Sequence, residues 1–136
     1  MKTKLKLKFD ESKIRISVTP EEEDMSIKRA AKDCAPGFEE AVRANVRKHR
    51  RWGWCTVRVT ATLPDIDVQG NAYLGACSYT SKKDFMSGGY FEQMVEEAKD
   101  ELRKELKRHV EDVKDMVESL KGVGVDINRT VMFATG

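Results

Sequence analysis

The strongest constraint in this chain is an unbroken amphipathic stretch from Tyr90 to Lys121. Its apolar residues recur at every third or fourth position: Phe91, Met94, Val95, Ala98, Leu102, Leu106, Val110, Val113, Val117 and Leu120. That spacing is one face of an α-helix, and charged residues fill the rest, with opposite charges in reach of each other such as Glu101 and Lys104. A helix of about 30 residues is about 45 Å long, whereas a compact domain of this size is about 37 Å across. The helix must therefore span the whole body or overhang it. An overhanging apolar stripe needs cover, and a second copy is the simplest cover. Leu102, Leu106, Val110, Val113, Val117 and Leu120 are accordingly the expected interface of a homo-oligomer, while a helix lying entirely across a sheet is the alternative.

The sequence ahead of the helix reads as strands and short helices. Lysine and apolar residues alternate from Lys4 to Phe9, and Ile14, Ile16 and Val18 repeat the alternation, which predicts a hairpin with one apolar and one basic face. Thr19-Pro20-Glu21-Glu22 has the form of a helix start, with a capping threonine, proline in the first turn and glutamate three residues on, so a helix is expected from there to about Asp33. Cys34-Ala35-Pro36-Gly37 interrupts it, and a second helix is expected over Phe38 to Arg50. Trp54 to Leu63 alternates cleanly and is rich in β-branched residues, so it predicts a strand, with Val68 to Tyr79 as its partner across the turn Pro64-Asp65-Ile66-Asp67. Gly70 and Gly75 within the partner strand predict a bulge or close approach by another backbone or a ligand. Ser81 and Asp84 have capping-box spacing. The tail from Gly122 to Phe133 alternates in places and is expected to add a strand.

These elements compose a single α+β domain over residues 1–136, an antiparallel sheet with helices on one face and one long amphipathic helix in the C-terminal third. The charge balance of +2 excludes a global field that would drive the chain onto nucleic acid or membrane. No apolar run is long enough to span a bilayer, and the alternating N-terminus lacks the continuous apolar stretch of a signal peptide. Three cysteines, Cys34, Cys55 and Cys77, with no C-x-x-C pair, argue against a disulfide framework or zinc site and fit a reducing cytoplasm.

No catalytic signature is present. The only histidines are His49 and His109, and nothing matches a phosphate-binding loop, a nucleophile elbow or a metal-ligand motif, so the chain is expected to be non-enzymatic, with no metal and no cofactor. The unusual cluster is Arg43 with Arg47-Lys48-His49-Arg50-Arg51-Trp52-Gly53-Trp54, followed by Arg58. Guanidinium forks suit phosphate and indoles offer a stacking face, which points to a ligand bearing phosphates and a flat base. Arg47, Arg50, Arg51, Trp52, Trp54 and Arg58 are the candidate ligand-binding residues, with Lys82, Lys83 and Phe85 as a possible lid. The bland alternative is that the cations complement a helix C-terminus and the tryptophans anchor a core. A helix-turn-helix DNA reader is a further, weaker alternative.

Three stretches, Trp52-Gly53-Trp54-Cys55-Thr56-Val57, Tyr73-Leu74-Gly75-Ala76-Cys77-Ser78-Tyr79 and Gly89-Tyr90-Phe91-Glu92-Gln93-Met94, resemble small proteins encoded by phages and prophages. The resemblance implies a binding protein acting in a host cytoplasm against bacterial immunity. Two kinds fit: a sponge that sequesters a cyclic nucleotide signal, or an inhibitor of a CRISPR nuclease complex acting through a host defence protein.

Overall fold

The computed structural model describes residues 10–122, in which three strands form an antiparallel sheet in the order β1 (Arg15–Glu21), β2 (Cys55–Leu63), β3 (Val68–Cys77). The central strand follows its alternation: Cys55, Val57, Val59, Ala61 and Leu63 are all buried on one face. Thr60 on the opposite face is buried as well, and its hydroxyl donates to Asn71 Oδ1 at 2.7 Å. A 3-10 turn over Pro64–Ile66 reverses the chain, and Asp67 completes the reversal in the left-handed region at φ 51°.

The expected helix start at Thr19 is instead the end of β1. Thr19, Pro20 and Glu21 pair with Arg58, Val57 and Thr56 of β2. Extension over these residues lengthens a ladder begun by the apolar row Ile16 and Val18, and a strand at a sheet edge tolerates the missing N–H of Pro20. The helix in this region is only α1, Ile27–Ala31, capped by Ser26, whose hydroxyl accepts the Arg29 N–H at 3.1 Å. The Lys4 to Phe9 arm of the expected hairpin and the tail strand beyond Gly122 lie outside the described residues, and the Ile14 to Val18 arm falls on β1, whose partner is β2.

The second helix, α2, runs Phe38–His49 from Gly37, which sits at φ 89° as the sequence break requires. The short α3, Lys82–Met86, is capped by Ser81 as the capping-box spacing predicts, Ser81 Oγ accepting the Asp84 N–H at 3.1 Å, while the Asp84 carboxylate reaches one residue further back and accepts the Thr80 N–H at 3.0 Å.

The long helix α4 extends over Phe91–Gly122. Its first half lies on the sheet, burying Met94, Ala98, Leu102 and Leu106 with the inward residues of β2 and β3. Gly70 makes this packing possible, because a Cβ there would collide with the backbone of Ala98 and Leu102. The interface expected over Leu102 to Leu120 is thereby corrected at its start. Leu102 and Leu106 belong to this chain's own core, where burying each contributes roughly 2 kcal/mol. Beyond Leu106 no residue of α4 is buried; Val110, Val117 and Leu120 are half-buried, while Val113 and Met116 are 46% and 63% exposed. The second half thus runs about 24 Å past the last core residue at the helical rise per residue.

Phe85 fills the end of the core between α3 and α4. Its ring is fully buried, stacked on Trp52 at 6.4 Å and edge-on to Tyr79 at 5.2 Å and to Phe91 at 6.1 Å.

Candidate functional site

A cleft of about 640 Å³ opens where the end of β1 faces the turn between α2 and β2. The turn is built from a backbone constraint. Arg50 closes α2 at φ 50°, ψ −120°, and its N–H donates to the Val46 carbonyl. Positive φ is unusual for a side-chain-bearing residue, and such strain concentrates at functional positions. The chain then makes a single 3-10 turn over Arg50–Gly53, and Gly53 seats against the backbone of Asn45 and Val46, where a Cβ would lie 2.6 Å from Val46 Cα. That seating delivers Arg50, Arg51 and Trp54 to one side of the cleft.

Trp54 is fixed at both ends. Its indole Nε1–H donates to the Met25 carbonyl at 2.9 Å, and Phe38 meets its ring edge-on at 6.4 Å. Ile27, Val46 and Pro20 supply the apolar wall. Glu21, Glu22 and Glu23, following Pro20, add an acidic wall to the lining. Glu21 is paired with Arg58 at 3.1 Å. Glu23 is committed to the fold: it accepts the Met25 N–H at 2.9 Å, the Thr56 hydroxyl at 3.2 Å and the Ala76 N–H. The bond from Met25, followed by those from Ala76 and Thr56, outweighs its partial burial and holds its carboxyl below the usual carboxylate range. Ala76 needs such an acceptor because β3 bulges there: between the pairs Cys55–Cys77 and Val57–Leu74, β3 carries one extra residue, and Ala76 sits at φ 53°. Glu22 is exposed and makes no ion pair among the described residues.

The sequence cluster is therefore divided by the fold. Arg50, Arg51 and Trp54 line the cleft. Arg58 stands beside it, held by Glu21, with its Nε buried and unpartnered. Arg47 is exposed on α2 outside the lining. Trp52 and Phe85 lie outside the cleft lining, and these two assignments are corrected: Phe85 is fully buried against Tyr79 and Phe91, and Trp52 is partly buried with its ring stacked on Phe85. Lys82 and Lys83 are exposed on α3 and do not reach the cleft. Sequence reasoning missed the acidic wall, since Glu21 to Glu23 resemble a helix first turn. The alternation of Ile14, Ile16 and Val18 running on toward Pro20 was the signal for a strand end.

Among the described residues no group of three or more histidine, cysteine, aspartate or glutamate side chains is arranged to hold a metal ion, and no helix is long and apolar enough to cross a membrane. Comparison with protein-family models, with curated proteins and with solved structures finds no match to this chain.

Proposed function

We propose that this protein is a non-catalytic binding protein that sequesters a small phosphate-bearing nucleotide, most concretely a cyclic nucleotide signal, in the cleft between β1 and the α2–β2 turn. The observation that carries the reading is the convergence of Arg50, Arg51 and the immobilised indole of Trp54 on one cleft of about 640 Å³, a volume typical of small-molecule sites. The guanidiniums suit phosphate oxygens, and the indole face suits a base. The acidic wall adds a constraint on the base: Glu22 can only accept hydrogen bonds, so it favours a base edge or ribose that donates them. In the phage setting that the resemblance implies, sequestration removes the signal from a host immune pathway. Isothermal titration against a panel of cyclic mono-, di- and trinucleotides tests the reading. Saturable heat with at least one member is expected, and heat with none of them sinks it.

A second reading, a protein-protein inhibitor of a nuclease complex, is favoured by the projecting half of α4 with its exposed Val113 and Met116. The same stripe, Val110, Val113, Val117 and Leu120, is the proposed contact between copies of the chain. Light scattering of the purified protein separates these outcomes: a dimer or larger assembly assigns the stripe to self-association, and a monomer leaves it to a foreign partner.

A further inference from the structure

The two edges of the sheet differ in kind. β1 carries Arg15, Pro20 and Glu21, and charge and proline are the usual means of preventing a strand from pairing further. β3 reads Val-Gln-Gly-Asn-Ala-Tyr-Leu-Gly-Ala-Cys, ten residues with no charge and no proline. Among the described residues β3 has a neighbour on one side only. In an antiparallel ladder alternate residues direct N–H and C=O away from the partner strand, so among the described residues this edge presents a row of unused backbone groups. Its regular part ends at the bulge beside Ala76, which leaves the seven residues from Val68 to Leu74 in register with β2.

Beside this edge runs a groove of about 500 Å³ between β3 and α4. Its floor is Asn71, Ala72 and Tyr73, and Tyr73 is 58% exposed. Its helical wall is Glu97, Asp100, Glu101 and Lys104. Asp100 is paired with Arg103 at 2.7 Å and Glu101 with Lys104 at 3.3 Å, while Arg103 is shared with Glu11 and Glu97 has no ion pair among the described residues, so the wall keeps a net negative charge. A strand edge flanked by a helix is the geometry in which extended peptides add to a sheet, the main chain supplying affinity and the flanking wall supplying selectivity.

We propose that the β3 edge and the α4 wall form a docking groove for an extended, basic peptide segment of a partner protein, added as a fourth strand. The acidic wall selects against a second copy: pairing β3 with β3 of another molecule would bring two acidic walls together, and like charges so placed oppose association. The groove lies on the opposite edge of the sheet from the nucleotide cleft, which is built on β1, so the two proposals stand or fall separately.

The test uses the full chain and three labelled nine-residue peptides. One alternates lysine with valine, one alternates glutamate with valine, and one is the lysine peptide N-methylated at alternate amides. Fluorescence anisotropy is expected to show saturable binding of the lysine peptide, at least tenfold weaker binding of the glutamate peptide and loss of binding on N-methylation. Hydrogen exchange with the lysine peptide bound is expected to slow amides within residues 68–74. The triple variant Glu97→Lys, Asp100→Lys, Glu101→Lys, on the groove wall, is expected to reverse the charge preference. Equal binding of both charge types, retention of the N-methylated peptide, or protection confined to the β1 side overturns the proposal. So does a dimer in which the β3 amides are already protected without peptide.

Discussion

Gly70 of β3 lies so close to the backbone of Leu102 in α4 that not even a methyl group fits between them. The two elements meet backbone to backbone, so a substituent at residue 70 finds no flexible side chain to displace. Gly70→Val is expected to cost about 3 kcal/mol or more in urea denaturation, at the upper end of core overpacking. Gly89→Ala, where a Cβ meets nothing within 4 Å, should change stability by less than about 0.5 kcal/mol. Equal effects would refute the close packing.

Glu23 links the cleft to the bulge of β3 across 53 residues of sequence. Glu23→Ala leaves the Ala76 N–H without its acceptor and is expected to destabilise by about 1–3 kcal/mol. The carboxyl titrates lower in the folded chain than in the unfolded one. Its contribution is thus present above the unfolded value, about 4.3, and is lost as pH falls through the lower folded value. Stability of the wild type should therefore fall more steeply below about pH 4 than that of Glu23→Gln. Parallel pH profiles by thermal melting would contradict this.

Arg50 combines positive φ with a place in the cleft lining. Glycine adopts that backbone region freely, so Arg50→Gly should leave stability unchanged or raise it by about 1 kcal/mol. If the nucleotide reading holds, the same variant weakens binding about tenfold or more, the value of a charge-assisted hydrogen bond. A variant that is less stable and binds normally would reverse both assignments.

The two halves of α4 are expected to answer differently to mutation. Leu102→Ala removes a fully buried side chain and should cost about 2–5 kcal/mol. Val113→Asp with Met116→Asp touches only exposed positions and should leave the melting temperature of the monomeric fold nearly unchanged while abolishing any self-association seen by light scattering.

Cys55 and Cys77 face each other across β2 and β3, both buried, while Cys34 is exposed. Burial, reinforced by the neighbouring Cys77, pushes the Cys55 thiol up to about 12, and burial also raises that of Cys77. Iodoacetamide at pH 8 is therefore expected to label Cys34 alone in the native protein and all three cysteines in urea. Rapid native labelling of Cys55 would show the core to be open.

By itself the sequence determined the elements whose periodicity is long or whose chemistry is local. The stripe of α4, the alternation of β2 and the Ser81–Asp84 capping box are each written in spacing alone, because a helix face, a strand face and a cap involve residues a few positions apart. Tertiary structure decided what depends on remote partners. Thr19-Pro20-Glu21 is extended because β2 lies alongside to pair with it, against a local pattern that favours a helix. Trp52 and Trp54, two residues apart, part company because Phe85 draws one into the core while the Met25 carbonyl and Phe38 hold the other at the cleft. The stripe of α4 likewise has no mark at Leu106. Only the length of the sheet beneath it separates the half that forms this chain's own core from the half in which no residue is buried.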